Sequence, residues 1–542
     1  MRATSCSVVR FWLTAGLVLV ALALAGPAVS AQCWEEKIPW TSEADAEYGA
    51  AVAAGQDVVV VGAPKHTQPG LGQAGAVYVS RRVGSSWSTT SLPLPTGLAT
   101  GDRFGHAVAI NEAGTVIAVG APFNDTLAFD GGLLMIYEWD APTQSWKVAA
   151  EWPGVFVSGL YGAAVDAHSD LIVVGEPAGA FGNGAVNIYR RTGPLTWVSD
   201  GFFSGFNFLD GFGWAVALTF SRLAIGSPFE DSGANDAGVI RFYEHDGNGW
   251  VLRDGYLSSG AEAHFGASVD MDGDHAVVGE PEADIGGATD AGAVHFFRWV
   301  GSTVTQTGAI ATGGTGQRMG FAVAIHGFTA AVGVPWSPGA FGKPLGDGAG
   351  LAQVYHWDGT DWAAPSLELV TAKDVTDFDH YGSALALYDR WIAVGAPFSD
   401  DLGADSGVVY VRDMNIGGTY ADLGFGLSGT GALVPRLSGT GALCGNTTVT
   451  LSLEDALPNS VAFLVLGITT LYVPFKGGTM VPDNTLIMGG YGTGTPGAIH
   501  LTGFWPPIAP ALTLYAQYWV FDPAGPVGWS ASNGLLFASS GG

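Results

Sequence analysis

One phrase recurs seven times along this chain and constrains its fold more than any other feature. Each copy has an aromatic residue (methionine in one copy) followed by glycine, then a short apolar run, then Gly-x-Pro. Successive copies lie 51 to 62 residues apart, a period typical of repeat architectures rather than of one continuous core. The phrase begins at Tyr48, Phe104, Tyr161, Phe212, Phe265, Met319 and Tyr381.

Each copy predicts four β-strands. The run before Gly-x-Pro, such as Val58–Val61, is continuously apolar, as expected for a strand covered on both faces. Glycine permits close backbone approach, and the proline removes an amide donor and ends the strand. A tryptophan opens the expected fourth strand in five copies, where we expect it to pack in the core: Trp87, Trp146, Trp197, Trp250 and Trp362.

Seven such units can close a ring, so the predicted fold is all-β: a seven-bladed β-propeller over residues 32–415, followed by a small β-sandwich. The seventh copy lacks a tryptophan-led fourth strand. The segment 33–40, which begins Cys33-Trp34-Glu35, resembles such a strand. We therefore expect it to pair with the seventh blade and close the ring.

The ends of the chain suggest export and a second domain. Residues 1–31 read as a signal peptide, with two arginines, an apolar stretch and Val29-Ser30-Ala31 before the cleavage point; an uncleaved anchor is the alternative. No later segment reads as a membrane span. Residues 416–443 read as a glycine-rich linker, and the short apolar runs of 444–542 predict the β-sandwich. If segment 33–40 closes the ring, Cys33 lies near the exit to this domain, so a Cys33–Cys444 disulfide is predicted.

The formal net charge is −28. Such a chain repels nucleic acid and anionic lipid, and it favours cations, basic partners or neutral glycans. An acidic surface that only keeps the protein soluble would explain the same net charge.

The seven copies resemble the FG-GAP repeats of integrin α propellers and of many secreted bacterial proteins, and the resemblance covers about residues 33–415. It implies extracellular binding or adhesion more often than catalysis. The integrin-type repeat carries a calcium loop between its two glycines, but here that interval is 13 residues in six copies and 15 in the second. Two strands and a turn fill it, so the integrin calcium sites are not carried over. The C-terminal segment resembles modules of exported planctomycete-type proteins.

Two groups of acids are candidate cation sites. Asp270, Asp272 and Asp274 in the fifth copy are the nearest approach to a calcium loop, although no cofactor is otherwise expected. A second group recurs between the second and third strands and reads either as an acidic rim for a cation or basic ligand, or as turns that cap their own backbone. Its members are Asp125, Asp130, Asp231, Asp236, Asp284, Asp290, Asp400 and Asp405.

No catalytic motif is present in the sequence. Arg103, His264, Arg318 and His380 occupy equivalent positions before the phrase and could surround one mouth of the ring. The predicted function is a secreted or cell-surface bacterial protein, a monomer, that binds an extracellular protein or glycan without catalysis. The alternatives are a polysaccharide hydrolase or lyase that uses the propeller mouth, and a structural envelope component.

Overall fold

The computed structural model describes most of the chain as β-strands, which confirms the all-β prediction. The signal-peptide prediction and the Cys33–Cys444 pairing lie outside the described residues. Glu36–Arg412 forms one compact unit, and a second includes Asp413–Gly542. The structure describes residues 35–38, 43–84, 86–337, 348–357, 362, 368–370, 376, 378–389, 391–413, 419–440, 448–483, 485–495, 497–504 and 513–538.

Among the described residues, the first unit is built from seven four-stranded sheets, which we number 1 to 7 along the chain; sheets 1 to 6 are antiparallel. In sheets 1 to 6 the four strands pair in chain order. In sheet 7 the fourth strand is Glu35–Lys37, which pairs beside Val408–Asp413, and the amide of Ile38 continues the pairing by donating to the carbonyl of Val409 (3.0 Å).

Sheet 1 contains Ala51–Gly55, Val58–Ala63, Ala76–Val83 and Ser86–Ser91. Sheet 2 contains Ala107–Ile110, Val116–Gly120, Leu133–Asp140 and Ser145–Pro153. Sheet 3 contains Ala164–His168, Leu171–Glu176, Ala185–Gly193 and Thr196–Ser204. Sheet 4 contains Ala215–Leu218, Arg222–Ser227, Val239–His245 and Trp250–Leu257. Sheet 5 contains Ser268–Asp272, His275–Glu280, Ala293–Val300 and Thr303–Ile310. Sheet 6 contains Val323–His326, Thr329–Val334, Leu351–His356 and Glu368–Val370. Sheet 7 contains Ala384–Tyr388, Trp391–Ala396, Val408–Asp413 and Glu35–Lys37.

The recurring phrase lies at the boundaries between sheets. Its aromatic residue, such as Phe104, is buried and forms a parallel bridge with the glycine before the third strand of the preceding sheet, here Gly75. Its glycine carbonyl approaches the Gly-x-Pro glycine of that same sheet. A Cβ on Gly62 would lie 2.0 Å from the carbonyl oxygen of Gly105. The last such contact, Gly395 against Gly49, joins sheet 7 to sheet 1.

The cores lie between adjacent sheets. One cluster combines Val60 and Val79 of sheet 1 with Ile117 and Met135 of sheet 2, all fully buried or nearly so. The second strands, such as Val58–Ala63, are buried along all or nearly all of their length because a neighbouring sheet covers each face. The first strand of each sheet contacts the first strand of the next, and the first strand of sheet 7 contacts that of sheet 1. The arrangement is therefore propeller-like.

One predicted strand position is wrong. Trp87, Trp146, Trp197 and Trp250 lie at the start of fourth strands, but in sheet 6 the fourth strand is Glu368–Val370 and does not include Trp362. Trp362 is instead buried and stacks on Phe296, with ring centroids 4.8 Å apart. Its packing role does not require the strand.

The C-terminal part contains a six-stranded sheet, a three-stranded sheet and a hairpin. One hydrophobic cluster includes Leu437 and Leu453 of the three-stranded sheet together with Leu464 and Tyr518 of the six-stranded one. The six-stranded sheet contains Thr419–Gly424, Gly534–Ala538, Thr513–Phe521, Val461–Gly467, Leu486–Gly492 and Trp529–Ala531; the other contains Arg436–Thr440, Thr448–Glu454 and Ile499–Phe504; the hairpin is Thr470–Phe475 and Gly478–Pro482.

The segment 416–443, predicted to be a linker, needs correction. It contains the strands Thr419–Gly424 and Arg436–Thr440, which pair within the two C-terminal sheets. The repeated glycine-rich sequence predicted a linker, but the side chain of Asn533, 96 residues away, bonds to both the amide and the carbonyl of Leu437. The C-terminal fold therefore begins before residue 444.

The glycine contacts lead to a stability prediction. Gly175→Ala places a Cβ 2.0 Å from the carbonyl oxygen of Gly213, so sheets 3 and 4 must separate. We expect a loss of roughly 2–4 kcal/mol in the free energy of unfolding, measured by chemical denaturation. Gly193→Ala in the same sheet is the control, because nothing lies within 4 Å of its added Cβ. Equal stability of the two variants would contradict the claim that the contact between Gly175 and Gly213 leaves no room for a Cβ.

Candidate functional site

The three aspartates proposed as a cation site have separate partners. Asp270 accepts hydrogen bonds from the amides of Ile325 (2.7 Å) and Met271 (2.8 Å). Asp272 accepts from the amide of Gly327 (2.6 Å), and Asp274 pairs with an arginine guanidinium. Within the part of the chain that the structure describes, no group of three or more histidine, cysteine or acidic side chains is arranged to hold a metal ion.

The recurring acids between second and third strands form one repeated turn. In each, the first aspartate accepts a hydrogen bond from the amide of the second, which has a left-handed backbone with φ between 44° and 48°. Aspartate tolerates this conformation better than most residues, so local geometry is enough to explain the recurrence. The pairs and their O···N distances are Asp125 with Asp130 (2.7 Å), Asp231 with Asp236 (2.9 Å), Asp284 with Asp290 (3.0 Å) and Asp400 with Asp405 (2.9 Å).

The four cationic or titratable residues before the phrase share a left-handed backbone, with φ between 52° and 55°. His264 and Arg318 both contact Glu282, at 2.7 and 3.1 Å. The ring of Trp336 lies 4.9 Å from the Arg318 guanidinium and 5.0 Å from the ring of His380. Arg103 lies over Phe123 instead. These contacts are ion pairs and ring packing, and none of the four residues lines the cavity described next.

The first strands of all seven sheets line a cavity of about 220 Å³. Four acids line it: Glu112, Asp166, Asp270 and Asp272. Two of them, Asp166 of sheet 3 and Asp270 of sheet 5, lie at a strand position that is alanine in the other five sheets. Burial raises the pKa of Asp166 to about 6 and that of Asp270 well above its usual range, and the charge of Asp166 adds to the second shift. Sequence reasoning missed Asp166, although the exchange of alanine for aspartate was a visible signal.

The cavity acids bind backbone amides of the next sheet. Asp166 accepts from the amide of Leu218 in sheet 4 (2.6 Å), as Asp270 does from Ile325 in sheet 6. Near the ends of the first strands, Glu112 accepts from the amide of Ser169 (2.9 Å) and also pairs with His168. Although burial lowers the pKa of His168, its hydrogen bond to Glu112 prevails and raises it. These groups tie neighbouring inner strands together.

A second surface, which we call the apolar patch, was not predicted. It comprises side chains that are 61% to 88% exposed on four loops of sheets 2 to 4. The loops follow second strands or connect successive sheets, so antiparallel order puts them at the same end of the strands. The members of the patch are Leu127, Phe129, Val155, Val157, Phe181, Phe206, Phe208 and Leu209.

Contacts make the apolar patch continuous. The amide of Ser158 donates to the carbonyl of Phe129 (2.7 Å), which joins the first two loops. The rings of Phe156 and Phe181 lie 5.4 Å apart and join the second loop to the third. Phe208 of the fourth loop packs against Gly182 so closely that a Cβ there would lie 2.3 Å from its ring.

Two segments of the chain match the FG-GAP repeat. They are residues 259–297 and 368–412, which contain the fifth and seventh copies of the phrase. FG-GAP repeats are typical of extracellular proteins. A comparison with curated proteins found no match. Among the residues that the structure describes, no helix is long and apolar enough to cross a membrane.

The raised pKa of Asp166 predicts a pH effect. A carboxyl whose folded pKa of about 6 exceeds its usual 3.8 contributes stability at low pH that is lost as pH rises through about 6. The stability of the native protein minus that of Asp166→Asn should therefore fall by about 1–3 kcal/mol between pH 4 and pH 7, measured by denaturant unfolding. Asp170→Asn, at an exposed carboxyl, is the control. A difference that is constant with pH would contradict the prediction.

Proposed function

We propose that the chain is an extracellular, non-catalytic binding protein that recognises a partner protein through the apolar patch. In this proposal residues 32–415 form a seven-bladed propeller, residues 1–31 direct export, and the two C-terminal sheets form a β-sandwich that includes residues 419–440. The FG-GAP matches, the seven four-stranded sheets and the shared C-terminal core support it.

The exposure of the apolar patch is the observation that carries the proposal. Phe181 is 88% exposed, and its backbone has φ of 62°. Leu209, also in the patch, has φ of 66°. A left-handed backbone costs about 1–2 kcal/mol for a residue with a side chain, and neither residue recovers that cost by burial. Exposed apolar surface of this extent, held by strained backbone, is typical of an interaction surface.

The charge around the apolar patch indicates the partner's chemistry. Asp125 is exposed on the same loop as Leu127, and Asp231 is exposed on the corresponding loop of sheet 4. Arg241, which lies 4.9 Å from the Phe206 ring, is already paired with both carboxylate oxygens of Glu230. A partner segment with apolar anchors and flanking lysine or arginine side chains complements this surface. The net charge of −28 opposes binding to anionic lipid and to nucleic acid.

A glycan is the second candidate ligand, and a different surface favours it. Trp214 is 44% exposed and packs against Phe229, with ring centroids 5.0 Å apart. Phe321 has the equivalent position in sheet 6 and packs against Trp336 in the same way. A sugar ring would stack on these aromatic faces rather than on the apolar patch.

The test compares exposed phenylalanines at opposite ends of the strands. Phe181→Ser combined with Phe208→Ser should leave stability within about 0.5 kcal/mol and weaken binding of a purified partner by roughly thirtyfold. The partner is first captured from secreted and cell-surface proteins, and its affinity is then measured by calorimetry. Phe220→Ser is the matched control, because Phe220 is 71% exposed but lies in the turn between the first two strands of sheet 4.

Two outcomes would contradict the proposal. One is that all three exposed phenylalanines can be replaced without weakening the complex. The other is that the double variant loses binding to neutral or anionic vesicles instead, which would identify a lipid surface as the ligand.

A further inference from the structure

Glu176 is a buried acid without a partner beneath the apolar patch. It is the middle residue of Gly-Glu-Pro at the end of the second strand of sheet 3. Its side chain is 3% exposed, and its Oε1 accepts no hydrogen bond from any residue that the structure describes. The loops around it are described without gaps. Since a buried carboxylate without a donor is costly, this residue needs a physical explanation.

The equivalent residue of sheet 5 shows how the fold satisfies an acid at this position. Glu280 accepts from the hydroxyl of Ser258 and pairs with Nε2 of His295 (2.7 Å). The register of sheet 3 puts Asn187 where His295 lies. The other five copies of the phrase have alanine, serine or valine in place of the glutamate. Sheet 3 therefore has the glutamate but has no histidine at the position that contacts it in sheet 5.

The carboxyl of Glu176 lies between two loops of the apolar patch. A Cβ on Gly159 would lie 2.5 Å from its Oε1, and a Cβ on Gly179 would lie 2.4 Å from its Cδ. The first loop carries Val155, Phe156 and Val157, and the second carries Phe181. The contact between Phe156 and Phe181 joins the two loops that enclose the carboxyl.

Among the residues that the structure describes, two tyrosines are the titratable groups that face Glu176. Tyr161 and Tyr189 share a hydrogen bond between their hydroxyls (2.7 Å), and burial raises the pKa of both, so they are neutral near pH 7. Residues 154–160 and 178–184 contain no charged side chain. Burial alone raises the pKa of Glu176 from 4.5 to about 7. The carboxyl therefore changes charge near neutral pH in surroundings that offer no compensation.

We propose that Glu176 acts as a proton-controlled latch for the apolar patch. The neutral carboxyl allows loops 154–160 and 178–184 to close and align Phe156 with Phe181. Loss of the proton leaves a mostly buried charge, and opening of the loops would hydrate it. The latch rests on the proposed docking function for its biological meaning, because it makes partner binding stronger in mildly acidic surroundings.

The direction of the pH effect follows from proton linkage. The open state releases its proton near 4.5 and the closed state near 7. The equilibrium constant for opening should therefore rise roughly tenfold per pH unit across that interval and level off above it.

The experiment measures amide hydrogen exchange of the two loops in the whole protein at pH 5 and pH 7.5, corrected for intrinsic exchange rates. In the native protein we expect protection of residues 154–160 and 178–184 to fall by one to two orders of magnitude over this range. Glu176→Gln should remove that change. Glu176→Ala, which copies the alanine of three other copies, is a second variant in case glutamine perturbs folding. Glu280→Gln is the matched control and should retain the pH dependence.

Persistence of the pH dependence in both Glu176 variants, or its equal loss in Glu280→Gln, would overturn the latch. The exchange measurement needs no partner, so it separates the two proposals. Failure of the phenylalanine variants to weaken a complex contradicts docking at the patch and leaves the exchange result unaffected.

Discussion

The contact between two glycines at each sheet boundary sets the spacing on which the first unit depends. The Gly-x-Pro glycine of one sheet meets the glycine carbonyl of the next, and there is no room for a Cβ between them. This close approach lets the aromatic residue of each phrase bridge to the preceding sheet while its ring is buried. It also brings the first strands together around a narrow cavity. The aromatic-glycine half of one copy of the phrase therefore packs against the Gly-x-Pro half of the preceding copy.

Much of the first unit could be predicted because each part of the recurring phrase has a local structural reason. The apolar run before Gly-x-Pro could only be a strand covered on both faces, and that strand is buried in every sheet. The acids between second and third strands were harder to interpret. In the structure each first aspartate accepts a hydrogen bond from an amide five or six residues later. A turn of this kind and a cation site can have the same acidic residues in their sequences. Asp166 and Asp270 differ from these acids because each accepts a hydrogen bond from an amide in the first strand of the next sheet.

The parts that could not be predicted depend on contacts between distant residues. The same seven-residue sequence begins at Leu427 and at Leu437. In the first copy Thr430 is held by Asp522 and the chain turns, whereas the second copy enters a strand beside Thr448–Glu454. No local propensity distinguishes identical sequences, so tertiary contacts decide. The apolar patch was also hidden, because exposure of Phe181 depends on how four separate loops meet.

The strand that completes sheet 7 has a consequence for how the molecule is made. Lys37 of that strand bonds to Asp401, which lies 364 residues further along the chain. During synthesis the strand emerges before any of the seven phrases, yet its partner strand emerges after the last of them. Sheets 1 to 6 can form as soon as each is translated, whereas sheet 7 cannot be completed until nearly the whole unit has been made. A truncated polypeptide therefore leaves strand edges unpaired, and such edges can pair with another chain.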